Sequence, residues 1–157
     1  MQKIPAPAQG NHFYRDHVAL LIDSYRQLLQ RSFLHDIGED CLGQRVFEAE
    51  FALLSHNTDP DPLFNYANLK ALELFELSWD ELIGMPSRLS VEPENQQARE
   101  RLMAAVTDKG FVDNYTGIRV SKTGRRFRID NVAIWNVHDR LGRYLGQAAC
   151  FSDWTYL

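Results

Sequence analysis

The spacing of apolar residues changes character twice along this chain, and the changes divide it. From Asn11 the run NHFYRDHVALLIDSYRQLLQRSFLHDIG sets Tyr14, Val18, Leu21, Tyr25 and Leu28 at alternating intervals of four and three, with Leu20, Ile22 and Leu29 widening the stripe. That period predicts an amphipathic helix of about six turns, ending before Gly38. Next, after a linker around Gly38 to Gly43, the short apolar run Phe51–Ser55 is closed by Asn57-Thr58-Asp59-Pro60 and predicts a first strand, with one helical turn before it around Val46 and Phe47. Pro60 and Pro62 fix a turn, and Leu63–Tyr66 is a short second strand.

The middle of the chain is helical but interrupted. Asn68 is placed as an N-cap for LKALELFEL, because its side-chain oxygen can accept from a free backbone N–H of the first turn. Ser78-Trp79-Asp80-Glu81 has the S-x-x-E form of a capping box and restarts a helix that stops at Gly84. Pro86 and Ser87 begin a third short turn. Pro93 then opens ENQQARERLMAAVTDKG, whose face of Ala98, Leu102, Ala105 and Val106 would let a helix lie close across a sheet before Gly110 ends it.

The last third reads as strands. FVDNYTGIRV and RRFRIDNVAIWNV flank SKTG, a loop with glycine placed for positive φ, and HDRLGRYLG leads into GQAACFSDW. With the first two strands these make a five-stranded antiparallel sheet with short helices on one face, an α+β layout preceded by the N-terminal amphipathic helix. The divisions are an arm over residues 1–10, expected to fray, the helix over 11–38 and the α+β domain over 39–157. The helix needs a partner surface, either its own domain or the same helix of a second chain.

Composition narrows the function more than the fold. At 157 residues there is room for one ordinary domain. A net charge of −4 and a pI near 5.7 argue against direct nucleic-acid binding, which normally brings a basic patch. Cys41 and Cys150 form no C-x-x-C, so the chain fits a reducing, cytoplasmic setting. No apolar run approaches the ~20 residues of a membrane span, and MQKIPAPAQGN lacks the apolar core of an export signal. No membrane association is expected.

With that element order in place, Asn68-x-x-Ala71, SWDELIG, Lys122-Thr123-Gly124 and the closing Asp153-Trp154-Thr155 resemble the corresponding parts of a PAS domain. The blocks SHNTDPDPLFNYAN, ALELFELSWDEL, PSRLS, YTGIRVSKTGRRF, WNVHD and GQAACF are similar to the MEKHLA domain family, a PAS-like group, over roughly Asn11 to the end. The resemblance implies a PAS-like fold with its ligand held between the sheet and the short helices. On that basis the candidate pocket residues are Asn65, Ser87, Tyr115, Asn131 and Trp135. Asn68 is better explained as a cap, and Tyr115 and Trp135 compete with a purely core role. Strand parity leaves the choice open, because FRIDNVAIW alternates imperfectly and a bulge would exchange its faces.

Other chemistries find less support. The flavin photoadduct of light-sensing PAS relatives needs a cysteine near the helix that starts around Ser87, and none lies between Cys41 and Cys150. Haem needs an axial ligand at the pocket, and the helix from Pro93 to Gly110 has no histidine. His12, Asp16 and His17 share one side of a helix but lack a third and fourth firm metal ligand. A Cys41–His56 or Ser55–His56 nucleophile pair would need an orienting group and an oxyanion hole. Arg119, Lys122, Arg125, Arg126 and Arg128, with Arg140 and Arg143 at the next turn, read as a solvated sheet edge or as a dock for an acidic partner or anionic ligand. The expectation is a non-enzymatic sensory or interaction module with no identified cofactor. It binds a small molecule or protein partner and forms a homodimer through the N-terminal helix or the sheet. The alternative is a small enzyme working on an amphipathic metabolite in the same cleft.

Overall fold

The N-terminal apolar stripe becomes α1, Arg15–Leu29, with Val18, Leu21, Ile22 and Tyr25 buried. The structure, a computed structural model, describes residues 3–33 and 40–157. At 15 residues α1 is about four turns long rather than six. Its start is set by His12, Phe13 and Tyr14, which take φ of 54°, 52° and 54°, a left-handed turn that no right-handed helix can run through. The expected end before Gly38 lies outside the described residues.

Residues 3–10, expected to fray, make hydrogen bonds to side chains of other segments. Trp79 Nε1–H donates to the Ile4 carbonyl (3.0 Å), Asn11 Nδ2 to that of Ala6 (2.9 Å) and the Tyr14 hydroxyl to that of Pro5. The Tyr14 ring also stacks on Trp79 at 5.6 Å and 7°. An arm without periodicity is thus held by side chains of other segments, which no local pattern could announce. α2, Leu42–Phe47, leans on the same turn: a Cβ at Gly43 would stand 2.4 Å from the His12 carbonyl oxygen.

The strands are β1 (Ala52–His56), β2 (Phe64–Ala67), β3 (Phe111–Val120), β4 (Arg126–His138), β5 (Tyr144–Phe151) and β6 (Asp153–Tyr156). They form one antiparallel sheet in the order β2-β1-β5-β4-β3, with β6 also on β4. The single closing strand expected from the sequence is therefore two, broken at Ser152. β5 pairs with the second half of β4, from Ala133 opposite Cys150 to His138 opposite Tyr144, and β6 with the first half.

The helices between the strands are α3 (Leu69–Phe75), α4 (Trp79–Leu82) and α5 (Gln96–Lys109), with a 3-10 turn at Ser87–Ser90. Asn68 caps α3 and does more. Fully buried, its Oδ1 accepts from Leu53 and Ala71 N–H, and its Nδ2 donates to the Val46 and Phe51 carbonyls, fastening α2, β1 and α3 at one point. The Ser78–Glu81 capping box starts α4.

A bulge decides which residues face which layer. Between Gly117–Ile129 and Tyr115–Val132 the register advances two residues on β3 and three on β4, and the extra residue sits at Asn131 with φ 54°. Before it Phe127 and Ile129 face the α5 layer; beyond it Val132 and Ile134 do, and Ala133, Trp135 and Val137 turn to α1. α1 therefore packs on its own sheet. Trp135 meets Tyr25 edge-on at 5.0 Å and donates from Nε1 to the Leu21 carbonyl at 2.9 Å. On the opposite layer α5 buries only Val106, and Ala98 is exposed. α5 meets the sheet at its C-terminal end, through Val106 and Leu102, and space remains beneath the rest of it.

Candidate functional site

That space is a cavity of about 90 Å³ for the centres of water molecules. That is several times the roughly 10–15 Å³ that a cavity needs on that measure to hold one water. Leu54, Val132, Ile134 and Ala149 form its apolar floor on the sheet, Phe75 and Phe151 flank it, and Leu102 and Met103 of α5 cover it. Arg99, three and four residues before those two, lies on the same helical face.

The polar lining is concentrated in a few side chains: Arg99, Arg119, Ser87, Ser90, His56 and Gln147. Ser90 donates to the Ser87 carbonyl at 2.7 Å, and the Ser87 hydroxyl accepts from Arg99 Nη2. Gln147 Nε2 donates to Asn136 Oδ1 (3.1 Å) and Thr107 Oγ1 (3.3 Å), while Asn136 Nδ2 donates to the Val106 carbonyl (3.1 Å), so the end of α5 is tied to the sheet. His56 Nδ1 lies 3.0 Å from the Asn57 carbonyl. Burial, helped by the charge of Arg99, lowers the imidazole's pKa, so the ring is neutral at pH 7 and can donate from Nδ1. Burial and then the charge of Arg119 also lower that of the Arg99 guanidinium, which still leaves it cationic.

Of the five residues read as pocket candidates, Ser87 lines this cavity. Tyr115 is on the same face of the sheet but folds over its own strand, so that a Cβ at Gly117 would lie 2.3 Å from its hydroxyl. Its ring supports Arg119, whose guanidinium carbon is 5.7 Å from the ring centre. Three candidates stand elsewhere. Trp135 is on the α1 face, carried there by the bulge; Asn131 is the bulge itself, exposed and donating to Asp153 Oδ2 at 2.9 Å; Asn65 accepts from Ser55. Arg99 and Gln147 were missed. Each was legible only as a polar residue interrupting an apolar face, in QQARERLM and GQAAC.

A second polar cluster occupies the α1 side. His17 Nε2 is 2.9 Å from Ser55 Oγ, which donates to Asn65 Oδ1, and the Tyr66 hydroxyl lies buried nearby with no partner among the described residues. Burial lowers the His17 pKa to about 4. The pairing that sequence reading tried, Ser55 with His56, is replaced by Ser55 with His17, because adjacent strand residues point to opposite faces. Ser55 is 3% exposed.

The basic hairpin is largely neutralised within the chain. Lys122 pairs with Glu81, Arg126 with Glu92 (2.6 Å), Arg128 with Asp130 (3.1 Å) and Arg143 with Asp139 (2.7 Å), and Arg125 covers Tyr156. Arg119 turns inward instead.

Comparison with known proteins agrees with this architecture. The sequence matches the family described as MEKHLA domain over residues 15–156. No curated protein matches it. Among solved structures, the PAS domain of a protein from Colwellia psychrerythraea is similar at 14% identity and TM-score 0.58, covering 73% of this chain and 92% of that one. A light-oxygen-voltage domain whose mechanism was probed with a flavin analogue is similar at 17% identity and TM-score 0.59, covering 74% and 84%. The light-state dimer of the fungal blue-light photoreceptor Vivid is similar at 18% and 0.57, covering 82% and 91%. At these identities the likeness is one of fold. Among the described residues no helix is long and apolar enough to cross a membrane.

Proposed function

The chain belongs to the MEKHLA domain family, and from that premise we propose that it is a non-enzymatic sensory module that takes a small molecule between its sheet and α5. The observation that carries this reading is the cavity, the place where α5 stands off the sheet and a few polar side chains project into otherwise apolar surroundings. A route for output supports it too. β5 lines the cavity from Gln147 to Ala149, while Ala148 and Cys150 also pair with Trp135 and Ala133 of the α1 face, so a shift of β5 on binding would be felt by α1. Neither cysteine lines the cavity, which leaves a flavin photoadduct without its nucleophile. We also propose a homodimer through the N-terminal helix or the sheet; the similar Vivid structure is of a dimer.

Native mass spectrometry of the protein purified from cells tests the reading. The expected result is one unaltered small molecule per chain, displaced by denaturation. Turnover of that molecule on incubation would replace the sensor with an enzyme. Protein that is empty from every source and gains nothing in melting temperature from a broad metabolite library would leave a pure interaction module. Light scattering on the whole chain tests the dimer, and a monomer at high concentration removes it.

A further inference from the structure

Two cations meet this cavity without an anion to answer them. Among the described residues, Arg99 and Arg119 have no carboxylate within 4.0 Å, whereas Lys122, Arg126 and Arg128 beside them on the hairpin all do. Arg99 is held by a neutral hydroxyl, that of Ser87, and Arg119 by the Ile118 carbonyl (2.9 Å) and the Tyr115 ring. Of the two acids whose charge reaches Arg99, Asp61 is taken by Arg88 at 3.2 Å, and Glu100, the next residue of α5, is exposed. Two guanidinium groups that repel each other at a partly enclosed wall are unfavourable in isolation, and an oxyanion between them would relieve both burial and repulsion. Arginine also presents paired N–H donors that match a carboxylate or phosphate.

The rest of the lining describes the other end of such a ligand. Beyond the arginines, Ser87, Ser90, His56 and Gln147 are the polar points of a lining that is otherwise apolar, with Leu54, Phe75, Leu102, Met103, Ile134 and Phe151 offering no charge and no side-chain hydrogen bond. A cavity of about 90 Å³ for the centres of water molecules admits a small molecule. Resting on the sensory reading above, we infer that the ligand is a small amphipathic organic acid, with its carboxylate or phosphate head between Arg99 and Arg119 and its apolar body under α5.

Calorimetry and thermal shift with four probes of one chain length test this: hexanoate, hexyl phosphate, hexanamide and hexanol, on the whole chain after removal of bound ligand by refolding. Binding of hexanoate or hexyl phosphate with little or none of the neutral pair supports the inference, and the better of the two identifies the head group. Arg99→Met should then weaken the anionic probe about tenfold or more and change hexanamide little, and Arg99→Lys should recover part of the loss. A melting curve of each variant separates lost binding from lost folding. Arg119→Met, on a different element, gives the same reading if α5 is disturbed. Equal binding of hexanamide and hexanoate would overturn the anionic assignment while leaving the cavity as a ligand site. Failure of all four probes, with no anion found by native mass spectrometry, would overturn both.

Discussion

The two faces of one sheet are built to opposite ends. On the α1 face Trp135, Tyr25, Phe33 and Leu21 interlock, the indole N–H finds a helix carbonyl, and Ser24 both donates to the His138 carbonyl (3.2 Å) and accepts from its N–H (3.0 Å). On the α5 face the helix buries one residue, the floor is made of small and aliphatic side chains, and two arginines look in without counter-ions. The first face is a closed core, where aromatic area and paired polar groups give the molecule its stability. The second gives up such packing and keeps room. A domain that must both fold and bind can divide those tasks between the faces of the same strands.

Substitutions should therefore differ in sign as well as size across the sheet. The largest effect is expected from Trp135→Ala, which empties the centre of the closed face and orphans the Leu21 carbonyl. It should cost about 3–5 kcal/mol in urea unfolding, and a loss under about 1 kcal/mol would mean α1 is not docked as described. Next is acid. His17 is neutral in the folded chain with a pKa of about 4, against 6.5 when unfolded, so the unfolded state binds the proton first. Its contribution is complete above about pH 6.5, falls as the pH drops toward 4, and changes no further below that, a loss on the order of 3 kcal/mol. His56, lowered in the same direction, adds to the slope. His17→Gln should flatten the pH dependence of the urea midpoint between pH 6.5 and 4 without abolishing it; an unchanged slope would remove His17 from the account.

Neighbouring alanines of β5 sharpen the contrast. Ala148→Val pushes extra carbon into the closed face opposite Trp135 and should cost about 1–3 kcal/mol. Ala149→Val adds the same atoms to the cavity floor and should gain up to about 1 kcal/mol while weakening any ligand. Two losses of equal size would show that the cavity face is as tightly filled as the other. The smallest effect is expected at Arg99→Met, within about 1 kcal/mol of the original chain, because the lost Ser87 contact is offset by removing a half-buried, repelled charge.

Much of this architecture is local and could be read from sequence. The caps at Asn68 and Ser78, the glycine stop at Gly110, the hairpin at Lys122-Thr123-Gly124 and the PAS-like order of elements need only short-range chemistry. The site was less legible because it depends on tertiary facts. Arg99 looks like one more charge on a polar helix until α5 is seen to stand off the sheet. Trp135 looks like a pocket aromatic if FRIDNVAIW is counted in twos, and no composition reveals that Asn131 takes a left-handed turn. The arm at residues 3–10 has no pattern of its own and is hydrogen-bonded by Trp79, more than sixty residues away in the chain.

The bulge at Asn131 makes the inside and the outside of this molecule a matter of counting. From Val132 to His138, what faces the cavity and what faces α1 is decided by one extra residue and hardly by the identities that follow it. Inserting one more residue after Asn131 would keep every side chain of the strand and exchange their addresses, sending Trp135 toward the arginines and Ile134 beneath α1. Point substitution can tune this domain gradually, whereas a change of length in β4 rewrites both of its surfaces in a single step.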